Sequence, residues 1–489
     1  LVTLLIFLST LLIFAPRIGL EFIPQVDNNL IQIQIEMPDN VNLETTTKKV
    51  NEVIEKIKRH KEIISISGNI GKKDNLNIGS NLAIIDIYLS SSDKREYSIN
   101  QLIDTLVKDL ENISNIKTAI RPGEVISSGQ YPIQFYILGQ NIDTLENYKN
   151  IVMDSLKNIQ GLINLDNSFR KGKPEITIQP RRDLLPETGL SLLDLAYTVR
   201  AAVDGIEATK FREGGYEYDI LITLRDEDVN LPEKIKNITV VSPTGTFRLS
   251  QIANIEYSTS VSRVLHRDKY KAIQFTGSNA PNIPLGTVTD EIDKKLEKIK
   301  LPPGYSFKWA GNVKFMREMF NDMILAFLIA TFLTYMLLSA ILESFVQPIF
   351  IMITLPLGLI GVFTTMIITQ TTYNLSSLMG IIMLIGIVVN NAILILDYAN
   401  QLKRESGVDV KNAVLEAATV RLKPQIMSSF ALILGMLPMA LQIGEAGKEF
   451  RAPLGIVSIA GLISATFLTI FVIPAFYYVF SKGKNLSEN

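Results

Sequence analysis

The stretch "IMLIGIVVNNAILILDYAN", residues 382–400, sets two adjacent amides, Asn390 and Asn391, in the middle of an apolar run. No charge occurs anywhere between Glu343 and Asp397. A helix needs about 20 mostly apolar residues to cross the hydrocarbon of a bilayer, and no element of a soluble core needs so long an uncharged stretch. The segment reads as membrane. A carboxamide at the centre of such a helix either hydrogen-bonds across to a neighbouring helix as glue or serves the protein's function.

Working outward, residues 323–342 are uncharged between Asp322 and Glu343. The run 344–396 exceeds one span and is divided by the polar break "TTYNLSS" (371–377), giving spans at 347–370 and 377–398. Spans at 424–444 and 452–481 follow. At the start, "LVTLLIFLSTLLIFAP" (1–16) is apolar but short and lacks the basic region that opens a signal peptide. It reads as the end of a partial span, and the chain is expected to be part of a longer protein. Basic residues in short loops mark the cytoplasmic side. Lys403, Arg404, Lys411, Arg421 and Lys423 between the third and fourth full spans, with Lys482 and Lys484 in the tail, place both segments there. Residues 401–420 are expected as a cytoplasmic loop with a short helix, and residues 22–322 and "EAGKEFR" (445–451) fall outside. Gly380, Gly386, Gly455, Gly461 and Ala465 suit close helix contact, and Pro438 and Pro474 are expected to bend their spans.

The exported region alternates strand-like and helix-like pieces. "LIQIQIEMP" (30–38), a helix at 43–60, "IISISGNI" (63–70), "NLAIIDIYL" (81–89), a helix at 99–113 and "IKTAIRP" (116–122) give the order βαββαβ, a split βαβ sandwich. A second copy opens with "YPIQFYILG" (131–139), a helix at 142–159 and a strand at 161–168, and resumes with "KAIQFTGSN" (271–279), a helix at 285–299 and "YSFKWAG" (305–311). The expected fold is an α+β membrane protein. It combines a polytopic helix bundle of one partial and five full spans with a large exported region of ferredoxin-like units: the first over 22–126, the second over 130–172 and 264–313, and an inserted docking subdomain at 173–263.

Composition narrows the function. Lys and Arg number 48 against 49 Asp and Glu, leaving a formal charge of −1 and no electrostatic footprint for nucleic acid. There is no cysteine. His60 and His266 stand far apart and read as surface or cleft histidines rather than zinc ligands. The glycine-rich "SGNIGKKDNLNIGSN" (67–81) joins two strands and lacks the strand-to-helix context of a phosphate site. No nucleophile with its base stands out, so no catalysis and no cofactor or metal is expected.

Several strings then agree in order and spacing: "FIPQVDNNLIQIQIEMP" (22–38), "WAGNV" (309–313), "LPLGLIGVF" (355–363), "GIVVNNAILILDYAN" (386–400), "AVLEAATVRLKPQIMSS" (413–429) and "ILGMLPMAL" (433–441). Over essentially its whole length the chain resembles the C-terminal half of resistance–nodulation–division efflux pumps of the hydrophobe/amphiphile branch. The resemblance implies a homotrimeric, proton-driven antiporter of the inner membrane with residues 22–322 mainly periplasmic. It also implies a periplasmic adaptor, an outer-membrane channel, an N-terminal half of the same pump and amphiphilic substrates. In such pumps paired acids in the N-terminal half carry protons, and the span matching 377–398 answers them with a lysine followed by an asparagine. Asn390 stands at the lysine position and Asn391 keeps the asparagine; a neutral amide can donate hydrogen bonds to the acids but cannot neutralise them. Arg421 and Ser428 fall where the family places an arginine and a threonine near the relay, although Arg421 also suits snorkelling at the cytoplasmic edge. The loop 68–80 matches one that lines the substrate path and offers Ile70, Lys72, Lys73 and Leu76; a solvated hairpin loop is the plainer reading. Met37, Met153 and Met316 are scattered, and the spacing of Met316, Met319 and Met323 suits helix packing better than a metal cleft. A lipid- or sterol-handling membrane protein and a non-transporting scaffold remain as alternatives.

Overall fold

The structure, a computed structural model, describes residues 2–24, 27–38, 41–74, 77–111, 113–123, 131–170, 174–259, 263–281, 283–406, 409–444 and 447–484. In the first exported unit the strand Leu30–Glu36 alternates cleanly. Ile31, Ile33 and Ile35 are buried in the core, and Gln32, Gln34 and Glu36 take the other face. The helix Leu43–Ile57 starts where the Asn42 side chain accepts from the Thr45 amide (3.0 Å), and it buries Thr46, Val50, Val53 and Ile57 along one stripe. The helix Ile99–Leu110 opens with a capping box between Ser98 and Gln101 and buries Ile99, Leu102, Leu106 and Leu110. Both stripes feed one core with Ile85, Ile87 and Leu89. The sheet order is Ile63–Lys72, Ile78–Leu89, Leu30–Glu36, Lys117–Pro122, so the first strand is central and its polar face is turned away from the helices.

The second unit repeats that order with Leu162–Asn167, Tyr270–Asn279, Ile133–Gly139 and Ser306–Ala310. Phe135 and Phe275 stack at 4.8 Å in its core, with Trp309 at 5.2 Å from Phe135. Between its second and third long strands the chain leaves for Phe169–Val264, a compact unit of its own. There the strands Pro174–Pro180 and Ala253–Thr259 pair antiparallel, the helix Leu192–Val203 is capped by Ser191, and Leu195, Val240, Leu249 and Ile252 fill the core. Its hairpin Ile206–Glu213/Tyr216–Ile222 is exposed along both strands.

Among the described residues five helices are long and apolar enough to cross a membrane: Gly311–Ile341, Gln347–Ile368, Leu375–Glu405, Val410–Ala440 and Lys448–Tyr478. The short apolar helix Val2–Phe14 precedes them. The expected cytoplasmic loop at 401–420 is corrected. One helix runs on to Ser406 and the next begins at Val410, so all but a few of those residues are helical. The reason is local: "AVLEAATVRLK" is rich in strong helix formers, and the helix continues through Pro424 and Pro438. Close contacts form at Gly380, Gly455 and Gly461, where an added Cβ would meet the backbone of Leu454 at 3.2 Å, the backbone of Ala440 at 2.8 Å and the Leu384 side chain at 2.2 Å. A Cβ added at Gly386 would meet nothing within 4 Å among the described residues, so it packs against none of them.

Candidate functional site

Asn390 lies on an exposed stripe of the helix Leu375–Ser406, with Met383, Gly386, Leu394 and Asp397 before and after it at helical spacing. It has no hydrogen-bond partner among the described residues. The side chain of Asn391 lies outside what the structure describes. On the next helix the Arg421 guanidinium stacks over the Tyr398 ring at 5.1 Å, and its Nε is buried without a partner. Tyr398 is eight residues beyond Asn390, about 12 Å along the helix, so Arg421 lies well toward the Ser406 end relative to Asn390. The two helices are consecutive and antiparallel. Counting the same distance back from Arg421 therefore puts Ser428 and Ser429 near the level of Asn390. Ser428 is exposed and its hydroxyl donates to the Gln425 carbonyl at 3.0 Å.

The expected list omitted the polar contacts facing the last helix. Buried Gln425 donates through Nε2 to Thr469 Oγ1 at 3.0 Å, Ser429 Oγ lies 2.9 Å from Thr466 Oγ1, and Gln425 Oε1 is left without a partner. A partial signal was present: Gln425 is four residues after Arg421, one helical turn on, where the span turns apolar apart from Ser428 and Ser429. Nearer the Ser406 end of the same helix, Asn400 joins Gln347 (2.8 Å) and the Tyr477 hydroxyl (2.9 Å), locking three helices together.

In the exported region the loop expected to line a substrate path is built differently. Ile70 packs against the first core, Lys72 is half-buried, and Leu76 lies outside the described residues. Lys73 is neither solvated nor open. Its side chain is 6% exposed, and Nζ donates to Asp166 of the second unit (2.7 Å) and Glu36 of the first (3.0 Å). Burial alone would lower its pKa, but the Asp166 and Glu36 carboxylates more than offset this and hold it above the usual lysine value. Around it lies the polar face of the first sheet. Gln32 bonds to Asp86 (2.8 Å) and accepts from Arg121 (2.6 Å), Arg121 stacks on Tyr131 (4.4 Å), and the Tyr131 hydroxyl donates to Gln34 (2.7 Å). Asn164 of the second unit adds a bond to the Ile120 carbonyl (3.3 Å). Alternation had marked Gln32, Gln34 and Glu36 as one face, but not that Asp166 would meet it.

Among the described residues no group of three or more His, Cys, Asp or Glu could hold a metal ion. The arrangement is that of a polytopic membrane protein whose polar residues link helices and sheet units, with no reactive group assembled among the described residues. The model of the AcrB/AcrD/AcrF family matches residues 1–481, and the chain belongs to that family of resistance–nodulation–division efflux transporters, which are inner-membrane proteins and not enzymes. Two solved structures share its fold. A heavy metal efflux pump in crystal form I superposes with a TM-score of 0.88 at 20% identity, covering 98% of this chain. Crystal form II gives 0.86 at 20% identity over 97% of this chain. The chain spans 50% of each of those chains.

Proposed function

We propose that this chain is the C-terminal half of an inner-membrane export pump driven by the proton gradient, and that Asn390 belongs to its coupling site. The observation that carries this reading is the uncovered stripe: a carboxamide mid-span, without a partner among the described residues, flanked by Gly386, which none of them approaches. A polar group at membrane depth demands a partner, and an N-terminal half carrying the proton-binding acids supplies one. Ser428, at the same depth on the next helix, extends the path, and Arg421 closes its cytoplasmic end against Tyr398. The reading includes a homotrimer working with a periplasmic adaptor and an outer-membrane channel, the general arrangement of such pumps.

For the cargo we favour an amphiphile. Met37 sits in the first exported core and Met316 and Met319 are buried at the head of the first full span, so these thioethers serve packing. In the exported units Lys72 is the member of the loop 68–80 that we assign to the substrate path, since Lys73 is occupied by Asp166 and Glu36. Metal cargo is the second reading, favoured by the fold neighbours described as heavy metal efflux pumps.

The test is export by the full-length pump in inverted vesicles across pH, comparing wild type with Asn390→Lys and Asn390→Leu. We expect Asn390→Lys to move the pH optimum and Asn390→Leu to lower proton-coupled dye export at least tenfold. Unchanged profiles in both would remove Asn390 from coupling. Transport of copper or zinc with no dye transport would replace the amphiphile by the metal.

A further inference from the structure

The segment Ile18–Phe22, between the short first helix and the exported region, is fastened on two sides. Toward the membrane bundle, the Glu21 amide donates to the Tyr373 carbonyl (2.9 Å), the Tyr373 amide to the Gly19 carbonyl (2.8 Å) and the Leu375 amide to the Phe22 carbonyl (3.3 Å). Toward the second exported unit, the Gly286 amide donates to the Leu20 carbonyl (2.8 Å). The approach is close: a Cβ on Gly19 would fall 2.2 Å from Pro284, and one on Gly286 2.7 Å from Leu20. These residues form a joint between the outer loop of the bundle and the helix Leu285–Leu296.

One carboxylate stands in the middle of it. Glu21 accepts a hydrogen bond from Thr372 Oγ1 at 2.8 Å and makes no ion pair among the described residues. Among the described residues no charged side chain of the elements packed on the segment pairs with Glu21, and Asp322, on the helix whose Phe320 meets Tyr373, is exposed. The outer loop supplies Thr372 and Tyr373, whose phenol burial pushes up to about 12 and so keeps neutral. The first turn of Leu285–Leu296 has no charged residue. The helix beginning at Gly311 sets Phe315 against Phe22 (5.7 Å), while its Arg317 is engaged by Asp293 and its Lys314 by Glu318. Arg17, on the preceding turn, is exposed.

We propose that Glu21 is a proton-binding site that sets the strength of this joint: neutral, it stays closed between bundle and exported unit; ionised, it draws water in and loosens the contact. Burial raises its pKa above the ordinary 4.5, and the Thr372 hydrogen bond opposes this only in part. The closed joint therefore holds the proton more tightly than an opened, hydrated one. Linkage then fixes the sign: closure is favoured at low pH and weakens as pH rises from about 4.5 through the raised value. The proposal is independent of the cargo and of any role for Asn390.

Hydrogen exchange by mass spectrometry on the reconstituted full-length pump, corrected for intrinsic exchange, tests it between about pH 4.5 and pH 8. In wild type, protection of the Glu21, Tyr373 and Gly286 amides should fall severalfold across the window. Glu21→Gln should keep them protected throughout. Thr372→Val, which removes the one bond favouring the carboxylate, should move the wild-type transition to higher pH. A flat wild-type profile, or one that Glu21→Gln reproduces, would overturn the proposal, and so would a Thr372→Val transition that stays in place.

Discussion

Lys73 Nζ stands 2.7 Å from Asp166 Oδ2, across the boundary between the two exported units, and 3.0 Å from Glu36 in its own sheet. One buried ammonium is thus divided between two sheets. Such an arrangement persists only where its geometry recovers the cost of desolvation, and removing the ammonium takes an opposite charge away from two largely buried carboxylates.

Lys73→Met is expected to destabilise the folded pump by about 3–5 kcal/mol, read from thermal or urea unfolding in detergent. Adding Glu36→Gln and Asp166→Asn should recover most of the loss, because the buried charges go together. The raised lysine pKa gives this pair an alkaline signature. Its contribution is complete below the unfolded value of about 10.4 and is lost as pH rises through the folded value. The gap between wild type and Lys73→Met should hold from neutral pH to about pH 10 and shrink above it. A gap that is already small at neutral pH would mean that the ammonium is solvated.

Glycine substitutions should separate packed positions from open ones. Gly455→Ala sets a methyl 2.8 Å from the Ala440 backbone nitrogen, where no side chain can swing away, and should cost about 1–3 kcal/mol. Gly386→Ala meets nothing within 4 Å among the described residues and should not lower its thermal unfolding temperature. If Gly386→Ala nevertheless lowers transport, the stripe it shares with Asn390 is covered in the working pump.

The amide at Gln425 gives an asymmetric pair. Thr469→Val leaves the buried Gln425 amide without an acceptor and should cost about 1–2 kcal/mol. Gln425→Leu loses the same bond but also removes the unpaired Oε1, so it should cost less than about 1 kcal/mol. Equal losses in unfolding experiments would show that the orphan oxygen is satisfied in the membrane.

The fold was legible wherever burial leaves a period in the sequence. Ile31, Ile33 and Ile35 announce a half-buried strand, the Val50–Val53–Ile57 spacing a helix on its face, and the run without charge from 344 to 396 a pair of membrane helices. Helix ends were harder to place. Pro424 suggested where a span begins, yet the helix starts at Val410, because proline costs a helix one bond that its neighbours can absorb. The site was legible as residue types and not as partnerships. Lys73 looked like any lysine in a hairpin loop, since nothing near it in sequence reveals that Asp166, ninety-three residues on, closes over it. Glu21 carries no signal of its own in the sequence, because its setting comes from Thr372 and Leu20's contact with Gly286, more than 260 residues on.

The path of the insert has a consequence for how the second exported unit can change. The Ser168 amide donates to the Gln274 carbonyl (2.8 Å), and Leu265 is paired with Ala272, so the chain departs from and returns to the same edge of the strand Tyr270–Asn279, two positions apart. Two residues of strand are about 7 Å. The roughly hundred residues between these points are a side branch whose loss, gain or exchange asks nothing of the sheet's register. The branch can therefore change in sequence and length while the strands of the sheet stay in frame.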